Sequence, residues 1–314
     1  MIVVTGGAGF IGSNLVHRLN HQGRRDILVV DDLSEGRKFA NLADAVICDF
    51  LDPAAFRAAL AARPDWLSSV ETVYHLGACS NTTEWNGRYM LDANFQSSRE
   101  ILDACAALDI PLVYASSAAV YGHHAECRED PACETPLNVY GYSKLLFDQH
   151  LRQRLPSLRI PVVGLRYFNV YGPREQHKGR MASVVHHFNQ QLLEHGEVRL
   201  FEGSHGMGDG EHLRDFVHVD DVVSMTVWAA RQRGFQGVLN CGTGQAATFN
   251  TVARAILAWH GRGRLSYIPF PADLFTAYQA QTRADMSAAE RAGCPVVFRD
   301  VATGVKDYLD WLNA

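Results

Sequence analysis

The stretch MIVVTGGAGFIGSNLVHRLN at residues 1–20 decides the fold. It starts as an apolar, β-branched run, passes through a glycine cluster, and continues with apolar residues at helical spacing. Residues 7–12 match the G-x-G-x-x-G template, whose glycines allow a tight turn, close approach of a pyrophosphate and packing of helix on strand. The N-terminus of the following helix offers unpaired N–H groups to that anion. The stretch predicts a dinucleotide-binding loop with contacts at Gly6, Gly9 and Gly12.

A second buried run, residues 26–32, follows at the distance this template requires and ends in two acids. The Asp31 carboxylate is expected to accept hydrogen bonds from the 2′- and 3′-hydroxyls of an adenosine ribose, which favours NAD. Two cations in the next loop, Arg37 and Lys38, would instead neutralise a 2′-phosphate, which favours NADP. The same charges also fit a solvated surface loop. The residues therefore predict cofactor contacts at Asp31 and Asp32 and leave the choice between NADP and NAD open.

Composition and charge exclude several classes of protein. The 314 residues are 47% apolar and 20% charged, as in ordinary globular proteins. A net charge of −5 without a long run of Lys and Arg argues against nucleic-acid binding, and no apolar stretch approaches the ~18 residues of a membrane span. The chain starts with a strand rather than a cleavable leader, and its seven cysteines form no C-x-x-C pair. We therefore expect a cytoplasmic protein with reduced thiols, no metal site, and no nucleic-acid or membrane partner.

Strand-like and helix-like segments alternate along the first half of the chain. Apolar runs at residues 70–78 and 111–117 predict strands. The alternation predicts an α/β fold with a doubly wound parallel sheet of the Rossmann type, in which ligands bind beyond the carboxyl ends of the strands. Small residues there, Gly77 and Ala78, let the backbone approach the cofactor. Further predicted segments are a strand at 45–49, whose final Asp49 is expected to meet the adenine amino group, and helices at 53–61 and 94–107.

A tyrosine and a lysine one helical turn apart form a candidate acid–base pair. A helix is predicted from residue 136 to about residue 154, and Tyr140 and Lys144 share one face of it. An ammonium group close to a phenol favours the phenolate and lowers the tyrosine pKa. A phenol of ordinary pKa ~10 then becomes a usable base near neutrality. A surface Tyr–Lys pair is the alternative. Because the preceding strand ends in Ser117, whose hydroxyl reaches the same crevice, we predict a catalytic role.

The second half of the chain predicts a smaller α/β unit. Its predicted elements are helices at 182–195, 248–260 and 300–312 and strands at 198–201 and 237–244. Arg214 is the candidate ligand contact in this half, because the paired N–H donors of a guanidinium suit a diphosphate. The alternative is a structural salt bridge with Asp215 or Asp220. Asp220 and Asp221 otherwise fit the start of a helix rather than a catalytic pair.

These motifs resemble those of the extended short-chain dehydrogenase/reductase superfamily. The resemblance rests on the T-G-x-x-G-x-x-G loop at residues 5–12, on Ser117, and on the Y-x-x-x-K pair at 140–144. The block ASSAAVYG at 115–122 is similar to the sugar-nucleotide epimerase branch. Dehydratase relatives have an Asp-Glu pair where this chain has alanines at 118–119, so no acid is present to expel a hydroxyl. The resemblance implies epimerisation rather than dehydration.

A narrower resemblance, running from residue 1 to residue 312, is to the ADP-glyceromannoheptose 6-epimerase family. It rests on CSNTTEW at 79–85, LRYFNVYGPREQHKGRMAS at 165–183, FEGS at 201–204 and YIPFP at 267–271. It implies bound NADP, an ADP-heptose substrate, and a second catalytic lysine in the H-K-G block, which corresponds to Lys178. The family is known as a ring of five subunits, which implies a homopentamer.

The same resemblance implies a set of ligand contacts. Cofactor contacts correspond to Phe10, Ile11, Lys38, Leu76, Gly77, Ala78, Cys79, Ser80, Lys144, Val170 and Lys178. Substrate contacts correspond to Ser117, Asn169, Arg180, His187, Phe201, Glu202, Gly203, Ser204, Arg214 and Tyr278. The chain departs from the family at Pro53 and Ala93, where relatives have a lysine and an asparagine. It also departs at Arg180, where a serine contacts substrate, and in a longer loop at 204–213.

The resemblance implies inversion of C6″ of ADP-D-glycero-D-manno-heptose by transient oxidation to a ketone, supplying heptose for the lipopolysaccharide core. Residues 1–170, completed by about 215–245, are expected to form the nucleotide-binding domain, and 171–314 mainly the substrate-binding domain. Three alternatives stay open. A UDP-hexose 4-epimerase would share the motifs up to Lys144 but not the Lys178 block. A net dehydrogenase would release reduced cofactor, and a cofactor-sensing regulator would usually lack the Tyr–Lys pair.

Overall fold

The computed structural model describes residues 1–272, 275 and 278–314, and its centre is a seven-stranded parallel sheet. The strands along the chain are β1 (Ile2–Thr5), β2 (Ile27–Val30), β3 (Asp49–Leu51), β4 (Thr72–His75), β5 (Leu112–Ser117), β6 (Glu126–Cys127), β7 (Val162–Tyr167), β8 (Asn169–Tyr171), β9 (Glu197–Phe201), β10 (Leu213–Arg214), β11 (Phe216–His218), β12 (Gly237–Cys241), β13 (Ala247–Thr248), β14 (Arg264–Ile268) and β15 (Arg283–Ala284). The order across the large sheet is β12-β7-β5-β4-β1-β2-β3. The chain winds outward from β1 and then returns to β4 on its other side, so a ligand crevice lies at the carboxyl ends of these two strands. The predicted doubly wound parallel sheet is confirmed.

Helices cover both faces of this sheet. In chain order they are α1 (Phe10–His21), α2 (Pro53–Ala62), α3 (Gly87–Met90), α4 (Ser97–Ala107), α5 (Val139–Arg154), α6 (Val184–His195), α7 (Val219–Ala230), α8 (Phe249–His260), α9 (Ser287–Arg291) and α10 (Val301–Leu312). Because side chains alternate along a strand, β1 supplies Ile2 and Val4 to the core under α1 and α7, and Val3 to the core under α2 and α4. Both faces are thus buried, which explains the continuous apolar strands. Nowhere in the described residues is a helix both long and apolar enough to cross a bilayer.

A third apolar core is built from α6, α8 and α10 together with β9 and β11. The helices predicted there are confirmed, and Thr248 and Asp300 cap α8 and α10 by accepting the backbone N–H groups of Thr251 and Thr303. Short two-stranded sheets lie beside this core: β8 with β11, β9 with β14, and β10 with β13. They fix the segment that follows β9 and place Arg214 opposite the start of α8.

The third strand lies later in the chain than predicted. The apolar run at 45–48 is irregular, and the Asn20 side chain binds both the N–H and the carbonyl of Val46 at 2.8 Å. The strand β3 begins at Asp49 instead of ending there. The predicted contact of Asp49 with adenine is therefore not supported, because the residue starts the strand and its carboxylate accepts the N–H of Phe50.

The helix predicted at 94–107 begins earlier and is not regular. It starts at Gly87 as α3, widens into a π-helical turn at Leu91–Gln96, and continues as α4. Asn94 lies inside the wide turn with its side chain 1% exposed. Its amide binds backbone and side-chain atoms outside the helix, and π turns often occur where a side chain is needed at a functional site.

Candidate functional site

The glycine loop after β1 has the shape of a phosphate cradle. Gly6 has a φ of 68°, and a Cβ on Gly12 would lie 2.0 Å from the Gly6 carbonyl oxygen. Gly9 is the N-cap of α1, and no side chain caps this helix. The first N–H groups of α1, at Phe10 and Ile11, are therefore available to a diphosphate. The residues present fit a dinucleotide.

Asp31, directly after β2, binds the backbone of the glycine loop. Its Oδ2 accepts hydrogen bonds from the N–H groups of Ala8, at 2.8 Å, and Gly9, at 3.1 Å. Its Oδ1 accepts from Asp32 N at 2.7 Å and from Lys38 Nζ at 2.8 Å. A carboxylate has about four acceptor positions, and these bonds fill them. The ribose contact predicted for Asp31 would thus require one of them to be exchanged.

The two cations predicted for a 2′-phosphate are placed differently. Lys38 binds Asp31 and the carbonyl of Asp32, and its side chain is 18% exposed. Arg37 forms a two-pronged pair with Glu35 and is 75% exposed. Only Lys38 therefore brings positive charge to the end of β2, where the adenosine ribose is expected.

The loop after β4, residues 76–80, faces the glycine loop. A Cβ on Gly6 would lie 2.7 Å from the Gly77 nitrogen, so the two backbones are in direct contact. Cys79 is held by Asn94, whose Oδ1 accepts the Cys79 N–H at 2.8 Å and whose Nδ2 donates to the Cys79 carbonyl at 3.0 Å. This loop and the glycine loop therefore form the two walls of one crevice.

The tyrosine–lysine pair lies at the same edge of the sheet. The Tyr140 side chain approaches Ser117 at the end of β5, and Lys144 Nζ donates to the Ala115 carbonyl of that strand at 2.9 Å. Lys144 is 7% exposed, and burial lowers its pKa to about 8. Three of the four predicted catalytic residues, Ser117, Tyr140 and Lys144, are thus brought together.

The predicted lowering of the Tyr140 pKa is wrong in this structure. Burial raises the pKa of Tyr140, and the nearby Ser117 side chain only partly opposes this shift. Lys144 does not contribute, because its ammonium is directed to the backbone of β5. The sequence showed the shared helical face but not how deeply the phenol is buried.

Lys178 lies in the short turn between β8 and α6. Its Nζ is 5.4 Å from the centre of the Phe10 ring, which places it beside the glycine loop. Burial lowers the pKa of Lys178, and the nearby Glu175 carboxylate opposes this shift. Glu175 is fully buried and accepts from Gly172 N at 3.2 Å and Ser183 Oγ at 2.7 Å. This carboxylate, which sequence reasoning missed, joins both ends of the loop that carries Lys178.

Arg214 is a buried cation without a carboxylate partner among the described residues. Its guanidinium carbon lies 4.8 Å from the centre of the Tyr278 ring, and burial lowers its pKa. The alternative salt bridges with Asp215 and Asp220 are not formed, since Asp215 accepts backbone N–H groups of the loop after β12 and Asp220 pairs with Arg299. Nη1 donates to the Leu213 carbonyl at 2.8 Å, and the remaining guanidinium donors, which meet no carboxylate among the described residues, suit an anionic ligand.

Three predicted substrate contacts lie in an aromatic cluster beside Arg214. The Phe270 ring is 5.4 Å from that of Phe201, 5.1 Å from Tyr278 and 5.7 Å from His212. Ser204 Oγ lies 2.8 Å from His212 Nε2. Sequence reasoning missed His212 and Phe270, although the YIPFP block and the longer loop were both visible, because no periodicity relates these distant segments.

The other predicted contacts are more dispersed. Arg180 is exposed, and its carbonyl lies 3.4 Å from His187 Nε2. Asn169 is exposed at the start of β8. Of the rest, Ser80, Glu202 and Gly203 are exposed, and Leu76, Ala78, Cys79 and Val170 are half-buried.

Known proteins match this chain along its whole length. The model of the NAD dependent epimerase/dehydratase family matches residues 2–242. The chain is 57% identical over 310 residues to the ADP-L-glycero-D-manno-heptose-6-epimerase of Alkalilimnicola ehrlichii, which covers 99% of this chain and 97% of that protein.

Solved structures share its architecture. The ADP-L-glycero-D-manno-heptose-6-epimerase of Helicobacter pylori is 31% identical with a TM-score of 0.85, covering 100% of this chain and 96% of that one. The Thermus thermophilus UDP-glucose 4-epimerase, solved in complex with NAD, is 27% identical with a TM-score of 0.80, covering 100% and 99%. The glycine loop, the tyrosine–lysine pair and these matches together show that the chain belongs to the NAD dependent epimerase/dehydratase family.

Proposed function

We propose that this protein is an ADP-L-glycero-D-manno-heptose 6-epimerase, which inverts C6″ of ADP-D-glycero-D-manno-heptose. The observation that carries the proposal is the 57% identity, over 99% of the chain, to a relative of that name. The site supports it, because two groups able to carry protons approach the crevice from different elements. Tyr140 lies at the end of β5, and Lys178 lies beside Phe10 at the start of α1.

The chemistry explains the need for two such groups. The C–H bond at this carbon is not acidic, so inversion proceeds through a ketone, and a nicotinamide nucleotide bound at the glycine loop would take up and return the hydride. Rotation about the exocyclic C5″–C6″ bond turns the oxygen to the other side. Tyr140 would carry the hydroxyl proton in one orientation and Lys178 in the other. Ser117 would donate to the reacting oxygen, and Lys144 would orient the nicotinamide ribose.

The second half of the chain would hold the sugar nucleotide. The Arg214 guanidinium, which has no carboxylate partner among the described residues, suits its diphosphate, and the aromatic cluster around Phe270 provides apolar surface beside it. Residues 171–314 would then act mainly as the substrate-binding domain, with 1–170 and about 215–245 holding the cofactor.

We infer NADP as the cofactor, because Lys38 is the cation placed at the ribose end of the crevice. A cytoplasmic homopentamer that supplies heptose for the lipopolysaccharide core is the assembly and role that the family resemblance implies. Denaturing the purified protein and weighing the released nucleotide tests the cofactor, since NADP exceeds NAD by one phosphate. Analytical ultracentrifugation tests the pentamer.

The activity is tested with ADP-D-glycero-D-manno-heptose in deuterated water, following C6″ by NMR. We expect inversion without deuterium at that carbon, and loss of turnover in Tyr140→Phe and Lys178→Met. UDP-glucose serves as the comparison substrate, because UDP-glucose 4-epimerases share this fold. If the protein inverted UDP-glucose and not the heptose substrate, it would be a UDP-hexose 4-epimerase instead. Deuterium at C6″ would exclude return of the same hydride. Accumulation of reduced nucleotide would indicate a dehydrogenase. Nucleotide binding without any turnover would favour a cofactor-sensing regulator.

A further inference from the structure

Beneath the nucleotide crevice, a chain of hydrogen bonds joins β1, β4 and the π-helical turn before α4. The Gly77 N–H donates to Thr5 Oγ1 at 3.0 Å, and Thr5 Oγ1 lies 2.7 Å from His75 Nδ1. On the other side of the ring, His75 Nε2 lies 2.9 Å from Ser98 Oγ, and the Ser98 hydroxyl donates to the Asn94 carbonyl. The side chains that form this series of hydrogen bonds are buried, and His75 is only 5% exposed.

The chemistry of the end groups fixes where the hydrogens lie. A backbone N–H can only donate, so Thr5 Oγ1 accepts from Gly77, and its own hydrogen is left to be donated to His75 Nδ1 when that nitrogen carries none. A carbonyl can only accept, so the Ser98 hydrogen is used on Asn94. Ser98 Oγ must then accept a hydrogen from His75 Nε2. One neutral tautomer of His75, with its hydrogen on Nε2, satisfies every group.

A charged imidazole would break this arrangement. A second hydrogen on Nδ1 would face the Thr5 hydroxyl, whose own hydrogen would lose its acceptor in a buried site. Burial lowers the pKa of His75 to about 3, and the charge of Lys144, the cation that faces it, acts in the same direction. Burial and the Lys144 charge therefore both favour the neutral ring.

Both ends of the chain reach the nucleotide crevice. Gly77 lies against Gly6 of the glycine loop. Asn94 holds the backbone of Cys79 and donates to Ser143 Oγ at 2.9 Å, on the helix that carries Tyr140 and Lys144. A residue that fixes Gly77 and Asn94 together fixes the wall of the crevice against the catalytic helix.

We propose that His75 is a positioning residue that, as the Nε2–H tautomer, holds the loop at 76–80 in the conformation that binds the nucleotide. The inference rests on the nucleotide binding of the proposed function, but not on the identity of the sugar. The alternative is that His75 merely fills the core, in which case its hydrogen-bond partners would not matter to the nucleotide.

Long-range ¹H–¹⁵N spectra of the full chain, labelled with ¹⁵N-histidine, read the tautomer directly. We expect one histidine to show the Nε2–H pattern without change between about pH 5.5 and pH 9, and this signal to vanish in His75→Gln. An Nδ1–H pattern for His75, or a titration in that range, would overturn the proposal. This measurement needs neither nucleotide nor substrate, so it stands if the proposed function fails.

Two neighbouring serines give a matched test of the effect on the nucleotide. Ser98 donates to the Asn94 carbonyl and Ser97 donates in the same way to the Ala93 carbonyl, but only Ser98 contacts His75. We expect bound NADP to exchange with labelled NADP about tenfold faster in Ser98→Ala. The rate in Ser97→Ala should stay within about twofold, and kcat at saturating nucleotide and substrate should be kept in both.

Variants of Thr5, at the other end of the hydrogen-bond series, control for a general loss of folding. Thr5→Val removes the acceptor of Gly77 and should also speed exchange, whereas Thr5→Ser restores the hydroxyl and should recover the wild-type rate. Equal exchange in Ser98→Ala and Ser97→Ala, or no rescue by Thr5→Ser, would show that His75 only fills space. A wild-type protein that binds no nucleotide would instead refute the proposed function.

Discussion

Two lysines of the site differ in exposure to water, with Lys144 buried and Lys178 half-buried. Burial lowers the pKa of Lys144 to about 8 and also lowers the pKa of Lys178. An amine with such a pKa exchanges protons more readily near neutral pH than an exposed lysine does. The same burial destabilises the folded state, because the ammonium form is favoured in the unfolded chain. The site therefore trades stability for reactivity at single residues.

Replacing Lys144 by Met should reveal this cost. Between the unfolded pKa of 10.5 and the folded pKa of about 8 the unfolded chain binds more protons, so the wild type gains stability as pH rises through this window. We expect Lys144→Met to be more stable at pH 7 by about 2 kcal/mol, after allowing for the lost bond to Ala115. The difference in unfolding free energy between the variant and the wild type should narrow by pH 10. Turnover of the variant should fall about 100-fold or more.

Urea unfolding at pH 7, 9 and 10 measures this difference. The exposed Lys306 provides the control, since Lys306→Met should show no narrowing over the same range. A gap that stays constant with pH would mean that Lys144 keeps an ordinary pKa in the fold.

Gly12→Ala should remove nucleotide binding. A Cβ at this position would lie 2.0 Å from the carbonyl oxygen of Gly6, which is backbone and cannot move aside without opening the loop. The overpacking should cost about 1–3 kcal/mol of unfolding free energy or more, and the purified protein should contain no nucleotide. Gly36→Ala, where no atom lies within 4 Å of the added carbon, should keep both stability and nucleotide.

At the scale of elements, the loop between β8 and α6 is held by a single buried group. The Glu175 carboxylate accepts from Gly172 N, Ser183 N and Ser183 Oγ, so one side chain closes the loop that carries Lys178. Gly179 at its tip has a φ of 53°, and a Cβ added there would meet no atom within 4 Å. The Lys178 N–H donates to the Glu175 carbonyl at 2.9 Å, so Glu175 positions Lys178 through its backbone as well as its side chain.

Glu175→Gln should misplace Lys178 without unfolding the protein. The amide has one acceptor oxygen, so its NH₂ group would face an N–H or hydroxyl donor in a buried site. We expect kcat for the epimerisation to fall about tenfold or more, with bound nucleotide retained. The exposed Glu194→Gln on α6 should leave kcat unchanged. Equal kcat in the two variants would show that the loop is held by other contacts.

For the molecule as a whole, residue spacing was enough to predict the features that neighbouring residues determine. The strands β1, β2 and β5, the glycine loop, and the shared face of Tyr140 and Lys144 follow from spacing and from burial on both faces of a parallel sheet. Three features could not be predicted, because distant side chains set them. Asn20 binds the backbone of Val46 in the irregular run at 45–48, Asn94 anchors the π turn, and burial raises the pKa of Tyr140.

Removing the nucleotide should lower the stability of the whole fold. Its site joins the carboxyl ends of β1, β2 and β4, so the ligand binds the folded chain and not the unfolded one. At a free concentration of 100 times Kd the stabilisation is about 2.7 kcal/mol, or about 5 °C in Tm. Differential scanning fluorimetry across a nucleotide titration measures it. Gly12→Ala should show no shift, and a wild-type Tm independent of nucleotide would contradict binding at this crevice.

The strand order of the large sheet has a consequence for synthesis on the ribosome. The outer neighbour of β7 is β12, which is made roughly 70 residues later. At about 5–20 residues per second of translation, the open edge of this fully buried, apolar strand stays unpaired for several seconds. A nascent chain halted between these two strands should therefore bind chaperones and aggregate, whereas one released after β12 should not.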